Sequence, residues 1–426
     1  MGHVGIIAEY NPFHNGHHYQ IQQAKKAFPD KEILVIMSGN YVQRGEPAIL
    51  NKYIRTKMAL AGGVHMVLEL PSFFSTQSAE IFARGAVLSL YQTGIIDTIC
   101  FGAECEQPDT LYALAKLFAA EPQDFKEKLQ KQLAAGHSFP KARSIAASDY
   151  MHDSRLQIIL SKPNNILAIE YLKVIIQYNL PLSYYIIQRS EDNYHDTVLP
   201  DACHQTNENK NTDLVCSATA LRKEFSKSDS RISDYIPAAS MKAMVQDSYN
   251  RPLSWESFYP FLQSRLFYEK NAALYQDVSK ELANRISGYD ILPAQASLLI
   301  AELKSKNITE TRLNRCLMHI LLRITKEQTN RLKDLDYAAY VRILGFQKNS
   351  VLPKLLKEHS SLPVLTKMAN YKRIASGFTL NLIENQMFAD DLYRQAYFNQ
   401  YGQCIPSEYK HSVIISEPEQ PSDLLI

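Results

Sequence analysis

A chain of 426 residues with a 46% hydrophobic fraction is long enough for two or three domains with filled cores. Its 46 Lys and Arg stand against 44 Asp and Glu, so the net charge of +2 excludes a general electrostatic hold on nucleic acid or membrane and confines any such hold to local patches. Cysteines at 100, 105, 203, 216, 316 and 404 form no CxxC pair, no basic-then-apolar leader precedes Val4, and no apolar run approaches the roughly 18 to 20 residues of a membrane span. The expectation is a cytoplasmic protein without a membrane anchor.

The first hundred residues alternate short apolar runs with helical stretches, the spacing of successive βα units under a parallel, Rossmann-like sheet. Strands are predicted at 4–8, 32–37, 64–70 and 96–101, with helices at 17–28, 51–61 and 78–91 between them. From 107 to 155 the pattern turns helical and charged, as an insertion or lid would. A helix at 165–178 and a strand at 182–188 resume the alternation, and the sheet is expected to end there. Residues 190–216 lack periodicity and lead into a helix starting near Ser217. Beyond 240 strand signals vanish and helical spacing dominates at 294–304, 310–324 and 350–357. The expected organisation is an α/β domain over 1–238, a mostly α-helical C-terminal domain over 239–406, and an extended tail over 407–426.

In a parallel sheet, ligands gather beyond the carboxyl ends of the strands, where helix N-termini favour anions. The segment Glu9-Tyr10-Asn11-Pro12-Phe13-His14-Asn15-Gly16-His17 falls there by sequence order. Asn15 is expected to cap the helix, Gly16 to let backbone approach a phosphate, and His14 and His17 to lie together across the first turn. Imidazoles suit a triphosphate because they donate hydrogen bonds and can become cationic as charge builds during displacement at the α-phosphorus. The plainer alternative is that both histidines are turn and cap residues. Ser217-Ala218-Thr219-Ala220-Leu221-Arg222 places two hydroxyls and a guanidinium at a helix start, a second anion cradle, although Ser217 alone reads as a cap.

The pairing of an HxGH segment after the first strand with a late SxTxxR-like turn resembles the HxGH nucleotidylyltransferase superfamily. A closer likeness, to the bacterial tRNA(Met) cytidine acetate ligase family, is carried by the run from Val4 to His17 and by Met37-Ser38-Gly39-Asn40-Tyr41-Val42-Gln43-Arg44-Gly45-Glu46-Pro47. It extends through Asn51-Lys52, Arg55-Thr56-Lys57-Met58-Ala59-Leu60, Leu68-Glu69-Leu70-Pro71, Phe82-Ala83-Arg84-Gly85, Phe101-Gly102, Lys162-Pro163-Asn164-Asn165-Ile166-Leu167, Gln188-Arg189 and Tyr194-His195-Asp196. These matches span most of the first 225 residues. Ala168 departs from the glycine the family often carries there, which puts close backbone approach at that point in doubt.

The resemblance implies an enzyme that activates acetate with ATP to acetyl-adenylate, releases pyrophosphate, and acetylates N4 of the wobble cytidine of elongator tRNA(Met). Mg2+ is expected on the phosphates, with no dedicated carboxylate cage. By the same likeness the first ATP-binding stretch is Ile7, Ala8, Glu9, Tyr10, Asn11, Pro12, Phe13, His14, Asn15, Gly16, His17, His18, Tyr19 and Gln20. Gly102, Asn164 and Arg189 would complete the pocket, with Ser217, Thr219 and Arg222 on the phosphates; sequence does not separate Asn164 from Asn165. His14 and His17 would be the catalytic pair. Outside the family pattern, Gly102 reads as a turn glycine, Asn164 as a helix cap and Arg189 as a strand-end cation.

Residues 43–47 with Lys52, Arg55 and Lys57 could fold over acetate or RNA, or be a solvated loop and helix face. Arg312, Arg315, Arg323 and Arg331 could track RNA phosphates, and Tyr10 and Phe13 could stack on a flipped cytosine. His195 and His204 show no metal-ligand spacing. Two other functions share the cradle: a small-molecule nucleotidylyltransferase acting on a phosphorylated cofactor precursor, and a non-catalytic RNA-binding protein with a relict pocket. Nothing in the sequence fixes an oligomeric state.

Overall fold

The structure is a computed structural model that describes residues 2–189, 214, 216–225, 230–289, 295–305 and 308–417. Its centre is an eight-stranded sheet. Strand β1 (His3–Ala8) lies between β2 (Ile33–Ser38) and β6 (Ile96–Ala103); β3 (Tyr41–Val42) and β4 (Glu46–Pro47) form a separate hairpin, and β5 (Met66–Leu70) flanks β2. Beyond β6 lies β7 (Ser183–Gln188), and beyond β5 lies β8 (Val341–Gln347), with β9 (Val364–Leu365) and β10 (Ile414–Ser416) both pairing β8. All pairings in this sheet are parallel except β5 with β8.

Strands β1, β2 and β5 read as near-continuous apolar runs because helices cover both faces, leaving no solvated side to alternate with. The chain runs from β1 outward through β2 to β5, then returns to the opposite side of β1 for β6 and β7. That reversal opens a crevice between the carboxyl ends of β1 and β6, the place where such sheets bind ligands. The helices Pro108–Ala120, Gln123–Ala134 and Phe139–Met151 occupy the charged stretch between β6 and the helix Pro163–Gln177.

Two expectations are corrected. Strands do not vanish after residue 240, and the sheet does not end at Gln188: β8 adds antiparallel to β5 and carries β9 and β10 with it. The chain thus crosses the expected boundary at 238/239 and returns to the sheet, and one hydrophobic core runs from Ile7 to Ile405. The tail expected to be extended or frayed is pinned through residue 417. Glu408 is buried, His411 stacks on Tyr53 with ring centroids 3.6 Å apart, and Ile414–Ser416 forms β10.

A buried ion network supplies the physical reason. Lys52 Nζ lies 2.8 Å from Glu69, 2.6 Å from Asp390 and 3.3 Å from Glu408, while Arg342 on β8 lies 3.2 Å from Glu69 and 2.5 Å from Glu408. Each carboxylate comes from a different element: β5, the long helix Gly377–Tyr401 and the tail. Removing water from two cations is costly, so these segments must close on them together. The helix Lys52–Ala61 is therefore no charged surface face. Lys52 and Arg55 are both 0% exposed; Arg55 donates to the carbonyls of Leu50, Glu9, Ser38 and Gly39. Only Lys57 of the three reaches solvent, paired with Asp247 at 2.8 Å.

Candidate active site

At the end of β1 the chain enters the helix Asn15–Ala27 through a cap made of histidines. Contrary to the expected role of Asn15, His14 is the N-cap: its Nδ1 accepts from the Gly16 N–H at 3.1 Å, and His17 Nδ1 accepts from the His14 N–H at 3.3 Å. The rings lie 3.8 Å apart, centroid to centroid, tilted by 32°. Since each Nδ1 is an acceptor, each neutral ring carries its proton on Nε2 and keeps that nitrogen as a donor. Asn15 instead ties this turn to distant chain, its Nδ2 donating to the carbonyls of Leu214 (2.9 Å) and Asp234 (3.0 Å).

Burial, with Arg189 and then Arg222 nearby, pushes His14 down to about 3; burial, His14 and Arg189 lower His17. The imidazoles of the free protein are thus neutral donors at physiological pH, not cations. Positive charge is supplied by the arginines.

The downstream turn reaches the same place. The helix Ala218–Phe225 is capped by Ser217, whose Oγ accepts from the Ala220 N–H at 3.0 Å, the plainer of its two expected roles. Arg222 donates to the Asn11 carbonyl and to Thr219 Oγ1, both at 3.1 Å. These partners are neutral oxygens, and Arg222 makes no ion pair among the described residues.

A third segment closes the far side. Gly102 on β6 faces Arg189 so closely that a Cβ on it would stand 2.8 Å from Arg189 Cδ, so only glycine lets this arginine lie across the strand. The Arg189 guanidinium donates to Asn164 Oδ1 at 3.1 Å. Asn165, in contrast, is buried, its Oδ1 accepting the N–H groups of Glu104 and Cys105 at 2.9 Å each. Glu104 returns the favour to the helix Pro163–Gln177, accepting from the Asn165 N–H (2.9 Å) and from Asn164 Nδ2 (2.6 Å). Sequence reasoning passed over Glu104, although its position just past β6, on the ligand side of the sheet, was the signal available.

The remaining residues of 7–20 separate by burial. Ile7, Tyr10 and Phe13 are core side chains, and Asn11 Oδ1 accepts from the Ile49 N–H at 2.8 Å. Pro12 is buried and Ala8 half-buried. Tyr10 and Phe13, 1% and 0% exposed, have no face left for a base, which corrects the expected stacking role. Glu9 accepts from the Gln43 N–H at 2.6 Å, and burial raises its carboxyl above the usual range. His18 lies 3.2 Å from the Gly62 carbonyl, Gln20 is half-buried, and Tyr19 points into solvent. His195 and His204 lie outside the described residues, as does Cys203; Cys100, Cys105, Cys216 and Cys316 are buried and Cys404 is exposed. Among the helical arginines, Arg315 is held by Asp277 at 3.3 Å, whereas Arg312, Arg323 and Arg331 are exposed, Arg331 over the ring of Phe378.

Neutral imidazole donors, a guanidinium on neutral oxygens and an Arg–Asn pair meet at the sheet's switch point, an arrangement suited to holding an anion, as the HxGH nucleotidyltransferase class requires. The sequence matches the family described as HIGH Nucleotidyl Transferase over residues 1–405. It is 35% identical over 423 residues to a tRNA(Met) cytidine acetate ligase of Acetivibrio thermocellus (97% of this chain, 99% of the relative). A ligase of the same name from a Geobacillus species is 37% identical over 380 residues (87% and 90%). The fold superposes on crystal structures of Thermotoga maritima TmcAL, apo with a TM-score of 0.89 and bound with alpha-thio ATP with 0.86. Both are 26% identical, covering 98% of this chain and 100% of the other. The chain belongs to the tRNA(Met) cytidine acetate ligase family of HIGH nucleotidyl transferases.

Proposed function

We propose that this protein activates acetate with ATP and acetylates N4 of the wobble cytidine of elongator tRNA(Met). In the first step an acetate oxygen bonds to the α-phosphorus as the bond to the β-phosphate bridge breaks, giving acetyl-adenylate and pyrophosphate. In the second the cytosine amine attacks the acyl carbon, AMP leaves, and the amine gives up a proton. Charge grows on the departing pyrophosphate, so the groups of greatest use are fixed donors and cations already aimed at it. The Nε2–H groups of His14 and His17 and the guanidinium of Arg222 take that role, with Thr219 orienting Arg222. Arg189 and Asn164, across Gly102, take the nucleoside end; Asn165 is spent on backbone. Among the described residues no three His, Cys, Asp or Glu side chains cluster as a metal site. Mg2+ would ride on the nucleotide's own phosphates and offset their charge.

The observation that carries this reading is the Arg222 donation to the Asn11 carbonyl across 211 residues of chain, which brings the late turn onto the HxGH turn. The matching name of relatives along nearly the whole chain supports the substrate. The test is incubation with ATP, acetate, Mg2+ and elongator tRNA(Met). AMP, pyrophosphate and N4-acetylcytidine are expected in equal amounts, and their absence at every Mg2+ concentration refutes the proposal. A dinucleotide product made without RNA would instead favour a cofactor-forming nucleotidylyltransferase.

A further inference from the structure

The β3–β4 hairpin also borders a cavity. Gly45 sits at φ +74 and a Cβ there would stand 2.3 Å from Arg315 N, so the hairpin lies directly on the helix Glu310–Leu322. Its Gly45 carbonyl accepts the indole N–H of Trp255 at 3.1 Å, which fixes the orientation of the chain's single tryptophan. Between this hairpin and the helices Trp255–Tyr268, Ala296–Leu303 and Glu310–Leu322 is a cavity of about 380 Å3 lined by Glu46, Trp255, Lys304 and Asn314 among others. That volume is within the range of small-molecule sites.

Its polar groups are unevenly satisfied. Glu256 uses both carboxylate oxygens on the N–H groups of Ala296 and Ser297, and Glu310 pairs with Lys304 at 3.0 Å. Glu46 makes no side-chain hydrogen bond or ion pair among the described residues. Asn314 is 4% exposed, yet its Oδ1 has no partner among them. A buried amide oxygen left unpaired costs about 1–3 kcal/mol, which a ligand N–H would recover if the Asn314 amide turned its oxygen into the cavity it lines. With three glutamates against one lysine, the cavity favours an amine-bearing base and leaves the phosphates of a ligand outside it.

We infer that this cavity receives an unpaired, amino-bearing nucleobase of the RNA substrate, stacked on Trp255 and read at its edge by Asn314 and Glu46. This rests on the proposed function. Each part has its chemistry: aromatic rings hold splayed-out bases, an Asn amide meets a base edge, and a carboxylate accepts from an exocyclic amine such as that of cytosine. Tyr10 and Phe13 are closed to this role by burial, which leaves Trp255 as the half-buried aromatic on this side of the hairpin.

Because Trp255 is the only tryptophan, its fluorescence reports the cavity directly. The probe is an anticodon hairpin of elongator tRNA(Met), titrated with the full chain, then remade with each unpaired base in turn replaced by an abasic residue. Quenching by about half is expected with the intact hairpin, and lost with one abasic replacement. Asn314→Ala and Glu46→Gln should each weaken hairpin binding about tenfold, with melting curves confirming that both variants fold. A bound hairpin that leaves Trp255 unquenched, or a quench that survives every abasic replacement, overturns the inference. Acetylation assayed in parallel separates the two readings: acetylation without the quench removes only the cavity's role, whereas a base-dependent quench without acetylation keeps the cavity and refutes the proposed function.

Discussion

Two of the places that hold arginine or lysine away from bulk water treat the charge in opposite ways. Around Lys52 and Arg342, three carboxylates from β5, the long C-terminal helix and the tail surround the cations. In the cleft, Arg222 donates to a carbonyl and a hydroxyl and makes no ion pair among the described residues, with Glu46 and Glu9 acting on it from farther off, and its histidine neighbours are neutral. Compensated charge holds distant segments together. A cation without an ion pair, at the mouth of the sheet, is stabilised further when an anion arrives, which supports the cleft rather than the network as the proposed binding site.

The sharpest way to break this comparison is to remove one cation from each place. Lys52→Met leaves three carboxylates around Arg342 alone and should cost about 3–5 kcal/mol, read as a lower urea midpoint with activity and fold lost together. Arg222→Ala should leave the urea midpoint within about 1 kcal/mol of the parent, since its hydrogen-bond partners are neutral and it makes no ion pair among the described residues. It should slow pyrophosphate release about 100- to 1,000-fold, as loss of a transition-state donor does. His17→Ala sits between the two, because that ring is half-buried against Tyr10 and His14. If Arg222→Ala unfolds the protein as readily as Lys52→Met, the distinction fails.

Protons sharpen the contrast. Three carboxylates and two cations leave one surplus negative charge; burial and Glu408 push Asp390 up to about 8, while Arg342 and Lys52 hold Glu408 down to about 2. A carboxyl raised from 3.8 binds its proton more tightly in the folded state, so its contribution is present below about 3.8 and is lost as pH rises through 8. Asp390→Asn mimics the protonated form and should flatten that slope in urea titrations between pH 4 and 8. His14 runs the other way: lowered from 6.5 to about 3, it contributes fully above 6.5, and that contribution is lost as pH falls toward 3. In kcat/KM for ATP, which reports the free enzyme, no imidazole inflection is expected between pH 6 and 8. An inflection near 6.5 would show that the rings are not held neutral.

The cleft was legible in sequence because its parts follow strand ends in local order: His14 and His17 after β1, Gly102 on β6, Arg189 after β7. What was illegible depends on partners far along the chain. Lys52 and Arg55 look like a solvated helix face until Glu69 and Asp390 are placed beside Lys52. β8 escaped notice because Arg342 interrupts its apolar run, and the residues that neutralise Arg342 lie 273 positions before it and 66 after it. The tail was read as frayed for the same reason: Glu408 has meaning only beside two buried cations. Asn164 and Asn165 differ by which one Glu104 and Cys105 occupy with backbone N–H groups, a choice that no spacing encodes.

The smallest expected effect concerns the arginines that belong to neither place. Arg315 is engaged with Asp277, whereas Arg312 and Arg323 stand in solvent on the helical side. An arginine that neutralises an RNA phosphate releases counterions, so its loss weakens binding modestly and lowers the salt slope by about 0.7–0.9 per contact. Arg312→Ala with Arg323→Ala should therefore flatten the dependence of log K on log salt by one to two, by this estimate of about 0.7–0.9 each, and leave pyrophosphate release unaffected. Arg315→Ala should leave the slope alone and lower stability by breaking its pair with Asp277. An equal change of slope for Arg315→Ala and for the exposed pair would mean that ion pairing in the free protein does not decide which arginines meet RNA.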